Sequence, residues 1–449
     1  MQRIYIKDLS EYVGQDVVIE GFVNTLRHQG GIKFMLVRDV TAKVQAIVLK
    51  QNVESFTTVE GLSVESVVKI TGLVKQEKQA PDGIEIEIKE IEVLSKAEEL
   101  PIPVVVEKGA EDVDQTIRFD YRWLDLRNPE KLKIFKVWTA LEMGFREYYA
   151  KEGFTQIYTP SFMGTASESG AEVFKVKYFK GVEASLATSP QLYKQIMAGV
   201  FERVFAVGPT FRAEKSATTR HLSEISMMDL EMAFIKDHTD VIALVTPLMR
   251  AITNRINEKC ADELKTLGVE TALAPETFPV LTLREAQELI KKETGVDKTT
   301  EPDLEPEDER FLCEYANKNW GSDFVFVTHF PTSKRPFYTH IDPEQPEFTR
   351  SFDLLFRGLE MCSGGQRVHK YDELVERIKA KGLDPEKFQF YLQAFKYGIP
   401  PHGGIGMGLE RLTAKFCGVN NVKEATLFPR DINRIDTFTS KDHSDTAEI

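Results

Sequence analysis

Two alternating apolar runs flanking a polar loop constrain this chain more than any other feature. Val204-Phe205-Ala206-Val207 leads through Pro209 to Phe211-Arg212-Ala213-Glu214, and Arg220-His221-Leu222 starts the return into a second run ending near Met232. Period-two alternation on both sides of a short polar stretch predicts a strand–loop–strand hairpin. An arginine stands at each root of the loop. The planar guanidinium fork matches phosphate and carboxylate oxygens, so the pair points to a clamp on an anionic ligand. A compatible partner lies far downstream in Pro400-Pro401-His402-Gly403-Gly404-Ile405-Gly406-Met407-Gly408-Leu409-Glu410-Arg411. Glycines let backbone approach a ligand closely, so this stretch reads as a loop cradling a planar base and phosphates. Glu410, Arg411 and Leu412 then open a helix.

A chain of 449 residues is too long for one ordinary core, and two or three domains are expected. Hydrophobic residues at 42% and charged residues at 28% are normal for a soluble globular protein. No apolar stretch is long enough to span a bilayer, and the start shows no signal-peptide pattern. Cys260, Cys313, Cys362 and Cys417 are scattered without metal-ligand spacing, which predicts reduced thiols in a cytoplasmic protein. The net charge of −13 argues against non-specific attraction to nucleic acid. A binding face needs only local positive potential, and Arg27, His28, Lys33, Arg38 and Lys43 offer one. A solvated sheet surface would account for the same residues.

Short β-rich runs fill residues 1–96, with turn signals at Gly30-Gly31 and Pro81-Asp82-Gly83. Five strands in that length predict a small closed barrel of the oligonucleotide-binding (OB) type, and a sandwich would satisfy the same pattern. The periodicity stops near Leu100-Pro101-Ile102-Pro103, so residues 97–130 read as a hinge and residues 131–449 as a second domain. That domain opens on a helix capped by Asn128, with Pro129 at its first position and Gly153 as its stop. An extended segment, Phe154–Pro160, follows. Phe324–Val327, Arg350–Arg357 and Gly358–Cys362 look like strands of one sheet, and Thr282 with Glu285 forms a capping box for a helix stopped by Gly295. The expected class is α+β.

These motifs, in this order, resemble those of the class II aminoacyl-tRNA synthetases, and most closely the aspartyl enzymes of archaeal and eukaryotic type. Gly153–Pro160 is similar to the family's first motif, the two arginine-bearing roots to its second, and Gly406–Arg411 to its third. The resemblance implies an anticodon-reading OB barrel, an antiparallel catalytic sheet flanked by helices, and a homodimer. It also implies ATP-dependent activation of L-aspartate and transfer of the aspartyl group to the 3′ end of tRNA(Asp), with tRNA(Asn) a second acceptor in relaxed members. An asparagine–tRNA ligase or another paralogue is the alternative. No Ser-His-Asp or Cys-His signature is evident, which suits a reaction driven by positioning and charge stabilisation.

The resemblance further implies roles residue by residue. Arg212 and Arg411 are the expected catalytic arginines, on the α-phosphate and the γ-phosphate end of ATP. Glu214, Arg220, His221, Leu222, Glu360 and Gly408 complete the ATP site. Asp353, Glu360 and Ser363 would hold Mg²⁺, since hard oxygen ligands suit a cation bridging phosphates. Asp353 and Glu360 are seven residues apart and converge only if a turn lies between them. Aspartate falls to Glu168, Gln191, Lys194, Arg212, Ser363 and Arg367. Lys194, in Ser189-Pro190-Gln191-Leu192-Tyr193-Lys194, and Arg367 would meet its side-chain carboxylate. Asparagine would then leave a cation unpaired, at a cost of about 2–5 kcal/mol. Phe34, Gln45 and Glu85 match the anticodon positions, with Phe34 as a stacking platform. Asn24 stands where strict archaeal enzymes and relaxed ones differ, and matches neither pattern.

Overall fold

Alternation in the first hundred residues becomes a closed barrel in the protein's computed structural model, which describes residues 2–106, 111–164, 172–216 and 218–436. Strands β1 (Asp16–Gln29), β2 (Ile32–Arg38), β3 (Lys43–Leu49), β4 (Val67–Gln76) and β5 (Ile84–Ser95) close in the order β1-β2-β3-β5-β4. Inward positions such as Met35, Val37, Val44, Ala46, Val48, Ile70 and Ile86 form one core, which excludes the sandwich. A bulge between Val23 and Thr25 shifts the β1–β2 register. It leaves Asn24 only 2% exposed, with its Oδ1 unpartnered.

Contacts divide the chain into units of residues 1–129 and 130–449. The later part of the expected hinge therefore groups with the barrel. Arg127 lies 4.6 Å over the Phe22 ring and bonds Glu65 at 3.2 Å, while Arg38 grips the same carboxylate at 2.5 and 2.8 Å. A fully buried carboxylate requires such partners, because stripping them away costs about 3–5 kcal/mol.

In the second unit the helix Pro129–Lys151 starts at the expected proline, and Gly153 ends it with φ +76°. Its stripe of Ile134, Leu141, Phe145 and Tyr149 is buried. The remaining strands are β6 (Thr155–Gln156), β7 (Phe162–Met163), β8 (Lys175–Lys177), β9 (Glu183–Leu186), β10 (Arg203–Phe211), β11 (Glu224–Ala233), β12 (Val280–Thr282), β13 (Phe324–Thr328), β14 (Ser351–Phe356), β15 (Leu359–Gln366) and β16 (His402–Gly408). Eight of them form a sheet in the order β12-β13-β14-β15-β16-β11-β10-β6. Its pairs are antiparallel except at the two edges, β12–β13 and β10–β6. Phe205, Leu230, Ile405, Phe352 and Phe326 share one face, and with the helices Pro129–Lys151 and His238–Lys259 they build the main core. The opposite face carries the polar residues at its middle, between apolar clusters on β13 and β10.

The glycine-rich stretch expected as a loop is the strand β16, paired on both sides. Two of its glycines, Gly403 and Gly404, are there for lack of room. A Cβ on Gly404 would lie 2.1 Å from the Leu230 carbonyl oxygen and 2.3 Å from the Glu231 carboxylate.

Candidate active site

One register row crosses the polar face: Asp229 on β11, Gly406 on β16, Ser363 on β15 and Asp353 on β14. Two residues along, Glu231, Gly404, Gly365 and Ser351 form the next row. Period two places all these side chains on one surface, and the glycines keep its middle flat.

Lys194 reaches this surface from the helix Gln191–Phe201. Its Nζ donates to Asp229 Oδ2 at 2.7 Å and to the Ile405 carbonyl at 2.6 Å, and lies 3.5 Å from Glu231. Arg367 donates to Glu231 Oε1 at 2.9 Å and to the Gly404 carbonyl at 3.0 Å. All four charged groups are buried. The two cations are thus already matched by two carboxylates, which corrects the expectation that asparagine would leave one of them unpaired. Burial works against Glu231's charge, but Arg367 and Lys194 outweigh it and hold its carboxyl below the usual range. For Asp229 burial prevails and the carboxyl is raised. Gln191 Nε2 and Asp229 Oδ1 are buried without hydrogen-bond partners, and Glu231 Oε2 has only the ion pair to Lys194, which leaves donor and acceptor capacity for a small zwitterion.

Glu360 joins the row through a bulge. The β14–β15 register shifts between Leu354 and Leu355, so Glu360 and Ser363, an odd number of residues apart, face the same side. The turn needed to bring Asp353 and Glu360 together is Arg357-Gly358, both with positive φ. Ser363 Oγ donates to Glu360 Oε1 at 2.6 Å. Arg335 donates to Asp353 Oδ2 at 2.6 Å, while Asp353 Oδ1 is buried and unpartnered. Burial, with Glu360 beside it, lifts the Asp353 carboxyl to about 6 despite Arg335. Among the described residues no three His, Cys, Asp or Glu side chains form a self-sufficient metal site. A divalent cation held by Asp353, Glu360 and Ser363 would need oxygens from a ligand as well, and the orphaned Asp353 oxygen suits that arrangement.

The three motif arginines lie on segments that continue from or link strands of this sheet. Arg212 and Glu214, both half-buried, follow β10; Arg212 Nε donates to the Thr188 carbonyl at 3.4 Å, and its backbone N–H to the Ser223 carbonyl at 2.9 Å, closing the hairpin root. Arg220 lies 3.7 Å from Glu309. His221 Nδ1 is 2.7 Å from the Thr218 hydroxyl. Leu222 is 3% exposed, and its side chain is part of the main core. Gly408 precedes the helix Leu409–Phe416, which carries half-buried Arg411. Glu410, on the same turn, accepts from the Ser226 N–H at 2.9 and 3.1 Å and ties that helix to β11. Glu168 lies outside the described residues.

On the barrel, Phe34, Gln45 and Glu85 occupy neighbouring outward positions of β2, β3 and β5. Gln45 donates to Glu85 at 3.0 Å. Phe34 is half-buried and does not belong to the barrel core.

Sequence reasoning passed over Asp229, Glu231, Glu309, Arg335 and the pair Gln195–His402. The first two had a signal, since acids two apart in an otherwise apolar strand must share a face and find partners. His402 is fully buried, and burial holds it near 4, hence neutral. Gln195 Nε2 lies 3.0 Å from its Nε2 and the Pro400 carbonyl 2.9 Å from its Nδ1, which places the ring proton on Nδ1.

Comparison with known proteins agrees with this geometry. Residues 17–94 match the family described as OB-fold nucleic acid binding domain, and residues 114–432 match tRNA synthetases class II (D, K and N). The chain is 44% identical to an aspartate–tRNA(Asp/Asn) ligase of Thermus thermophilus, over 96% of this chain and 99% of that one. It is 40% identical to an aspartate–tRNA(Asp) ligase of Pyrococcus abyssi, over 96% and 98%. Among solved structures, asparaginyl-tRNA synthetase from Pyrococcus horikoshii with asparaginyl-adenylate aligns at TM-score 0.89 and 32% identity, covering 97% of this chain and 100% of that one. Aspartyl-tRNA synthetase from Entamoeba histolytica aligns at 0.86 and 32%, covering 97% and 93%. With a catalytic sheet, a barrel and three ordered motifs in accord, the chain belongs to the class II tRNA synthetases of the D, K and N group.

Proposed function

We propose that this protein is an aspartate–tRNA ligase that activates L-aspartate with ATP and transfers it to the 3′ end of tRNA(Asp). The observation that carries the reading is the buried network of Lys194, Arg367, Asp229 and Glu231, lying beside the Asp353–Ser363 row. Lys194, Arg367 and Gln191 receive the side-chain carboxylate of aspartate, and Asp229 Oδ1, which has no hydrogen-bond partner, faces its ammonium group. Glu168 and Ser363 complete the amino-acid contacts. The neutral amide of asparagine cannot draw the two cations as a carboxylate does, and a site built on buried polar contacts discriminates by roughly 10⁴ or more.

In the first step an α-carboxylate oxygen of aspartate bonds to the α-phosphorus of ATP. The bond from that phosphorus to the bridging oxygen breaks, and pyrophosphate leaves with the electron pair. Arg212 spreads the charge that develops on the α-phosphate, and Arg411 holds the departing end. Glu214 takes the adenine amino group, while Arg220, His221, the Leu222 backbone and Gly408 line the nucleotide. Mg²⁺ held by Asp353, Glu360 and Ser363 would neutralise phosphate charge. In the second step the terminal ribose 3′-oxygen takes the acyl group and AMP leaves. Phe34, Gln45 and Glu85 read the anticodon on a barrel spanning residues 1–96, and residues 131–449 form the catalytic domain, working as a cytoplasmic homodimer through the helix Pro129–Lys151. The relative of Thermus thermophilus, named for both tRNA(Asp) and tRNA(Asn), supports tRNA(Asn) as a second acceptor.

Pyrophosphate exchange with aspartate, asparagine or no amino acid tests this reading. Exchange is expected with aspartate alone. Exchange with asparagine alone would reassign the substrate, and none with either would mean the fold has lost its chemistry. Charging of tRNA(Asp) and tRNA(Asn) transcripts side by side then decides acceptor range.

A further inference from the structure

Glu309 belongs to none of the three motifs, yet it joins an arginine of the second motif to the backbone of Glu360. It lies in the first turn of the helix Pro306–Trp320, with its side chain only 13% exposed. Its Oε2 accepts from the Glu360 backbone N–H at 3.3 Å and lies 3.7 Å from Arg220 Nη1. Lys415, one helical turn beyond Arg411, is close enough to feel the charges of both Glu309 and Arg220. A largely buried carboxylate beside Glu360 and Asp353 is electrostatically costly, and the helix does not need it. Asp308 already supplies the reciprocal bonds of its capping box.

We infer that Glu309 is a positioning residue for ATP, holding the Arg220 guanidinium over the triphosphate and fixing the backbone of Glu360. This rests on the reading of the site as an ATP-dependent aspartate-activating centre. Arg220 springs from a loop and is 31% exposed on its side chain. A long cation on a loop loses rotamer freedom when it meets a phosphate, and a fixed carboxylate behind it removes part of that loss beforehand. Glu309 reaches Arg220 and the Glu360 amide with the same oxygen, so nucleotide affinity should depend on it while the aspartate pocket, built on Lys194 and Arg367, should not.

The test is steady-state pyrophosphate exchange on full-length wild type, Glu309→Gln, Arg220→Ala and the double variant, with melting temperatures measured alongside. Glu309→Gln keeps an acceptor for the Glu360 N–H and removes the charge that holds Arg220. It should raise the KM for ATP about fivefold, as expected for one partly screened ion pair, and leave the KM for aspartate and the melting temperature unchanged. In the Arg220→Ala background the same change should have little further effect on the KM for ATP. Equal losses in both KM values with a lower melting temperature would show a merely structural residue and overturn the inference. A lower KM for ATP would overturn it too, because Glu309 would then compete with the nucleotide for Arg220. If wild type shows no aspartate-dependent exchange, the functional reading fails first. Calorimetric titration of the same proteins with ATP then decides the role of Glu309 separately: weaker binding by Glu309→Gln supports it, and unchanged binding refutes it.

Discussion

Lys194 has no exposed surface, and its ammonium is held by a carboxylate and a backbone carbonyl. Under the proposed function such a cation is doubly committed, because it would meet the aspartate carboxylate while already paired with Asp229. Lys194→Ala should therefore raise the KM for aspartate by about a hundredfold or more, while the KM for ATP moves by less than about threefold. It should also destabilise the fold by about 3 kcal/mol, since Asp229 is left buried without its partner. Exchange kinetics and denaturant unfolding on one preparation check both parts. Equal loss of aspartate and ATP use would make the lysine purely structural. That Lys194 is an expected aspartate contact was legible from the motif around it. Its carboxylate partner was not, because Asp229 is 35 residues away and the pairing is made by a strand the lysine does not belong to.

At the scale of elements, helices and the hairpin followed directly from local signals. Pro129, Gly153 and the Thr282–Glu285 box mark ends that the structure keeps. The strand β16 did not follow from them. Glycine is a poor strand former, so four glycines in seven residues read as a loop, and only the neighbours on both sides explain them. Gly404→Ala forces a Cβ into backbone oxygen and should cost about 3 kcal/mol, whereas nothing lies closer than 3.9 Å to a Cβ on Gly408. Gly408→Ala should thus leave stability within about 0.5 kcal/mol of wild type. Urea unfolding of the two variants makes the comparison, and equal stability would refute the packing argument. The bulge in β15 is of the same kind: no local residue announces it, yet it decides which way Glu360 faces.

For the whole molecule, two units with separate cores suggest a division of labour between reading tRNA and activating the amino acid. Gln45→Ala should leave pyrophosphate exchange within about twofold of wild type and lower tRNA charging about tenfold or more, since one base contact is worth roughly 1–3 kcal/mol. Collapse of exchange in this variant would contradict the division. Gln45 and Glu85 already touch, so part of the loss would come from freeing the Glu85 carboxylate.

The amino-acid sequence by itself determined the α+β class, the barrel followed by a catalytic sheet, the ordered motifs and part of the polar face, with Lys194, Asp353, Glu360, Ser363 and Arg367 but without Asp229, Glu231 or Arg335. These depend on period, caps and motif spacing, which are local properties of the chain. Tertiary structure alone decided that the pocket is charge-balanced, that the glycine stretch is a central strand, and that Glu309 and Arg335 stand against Glu360 and Asp353. Each of these depends on which distant strands become neighbours in the sheet. Ion pairing and the space open to a Cβ are set by distances through space, and a chain read one residue at a time does not contain them.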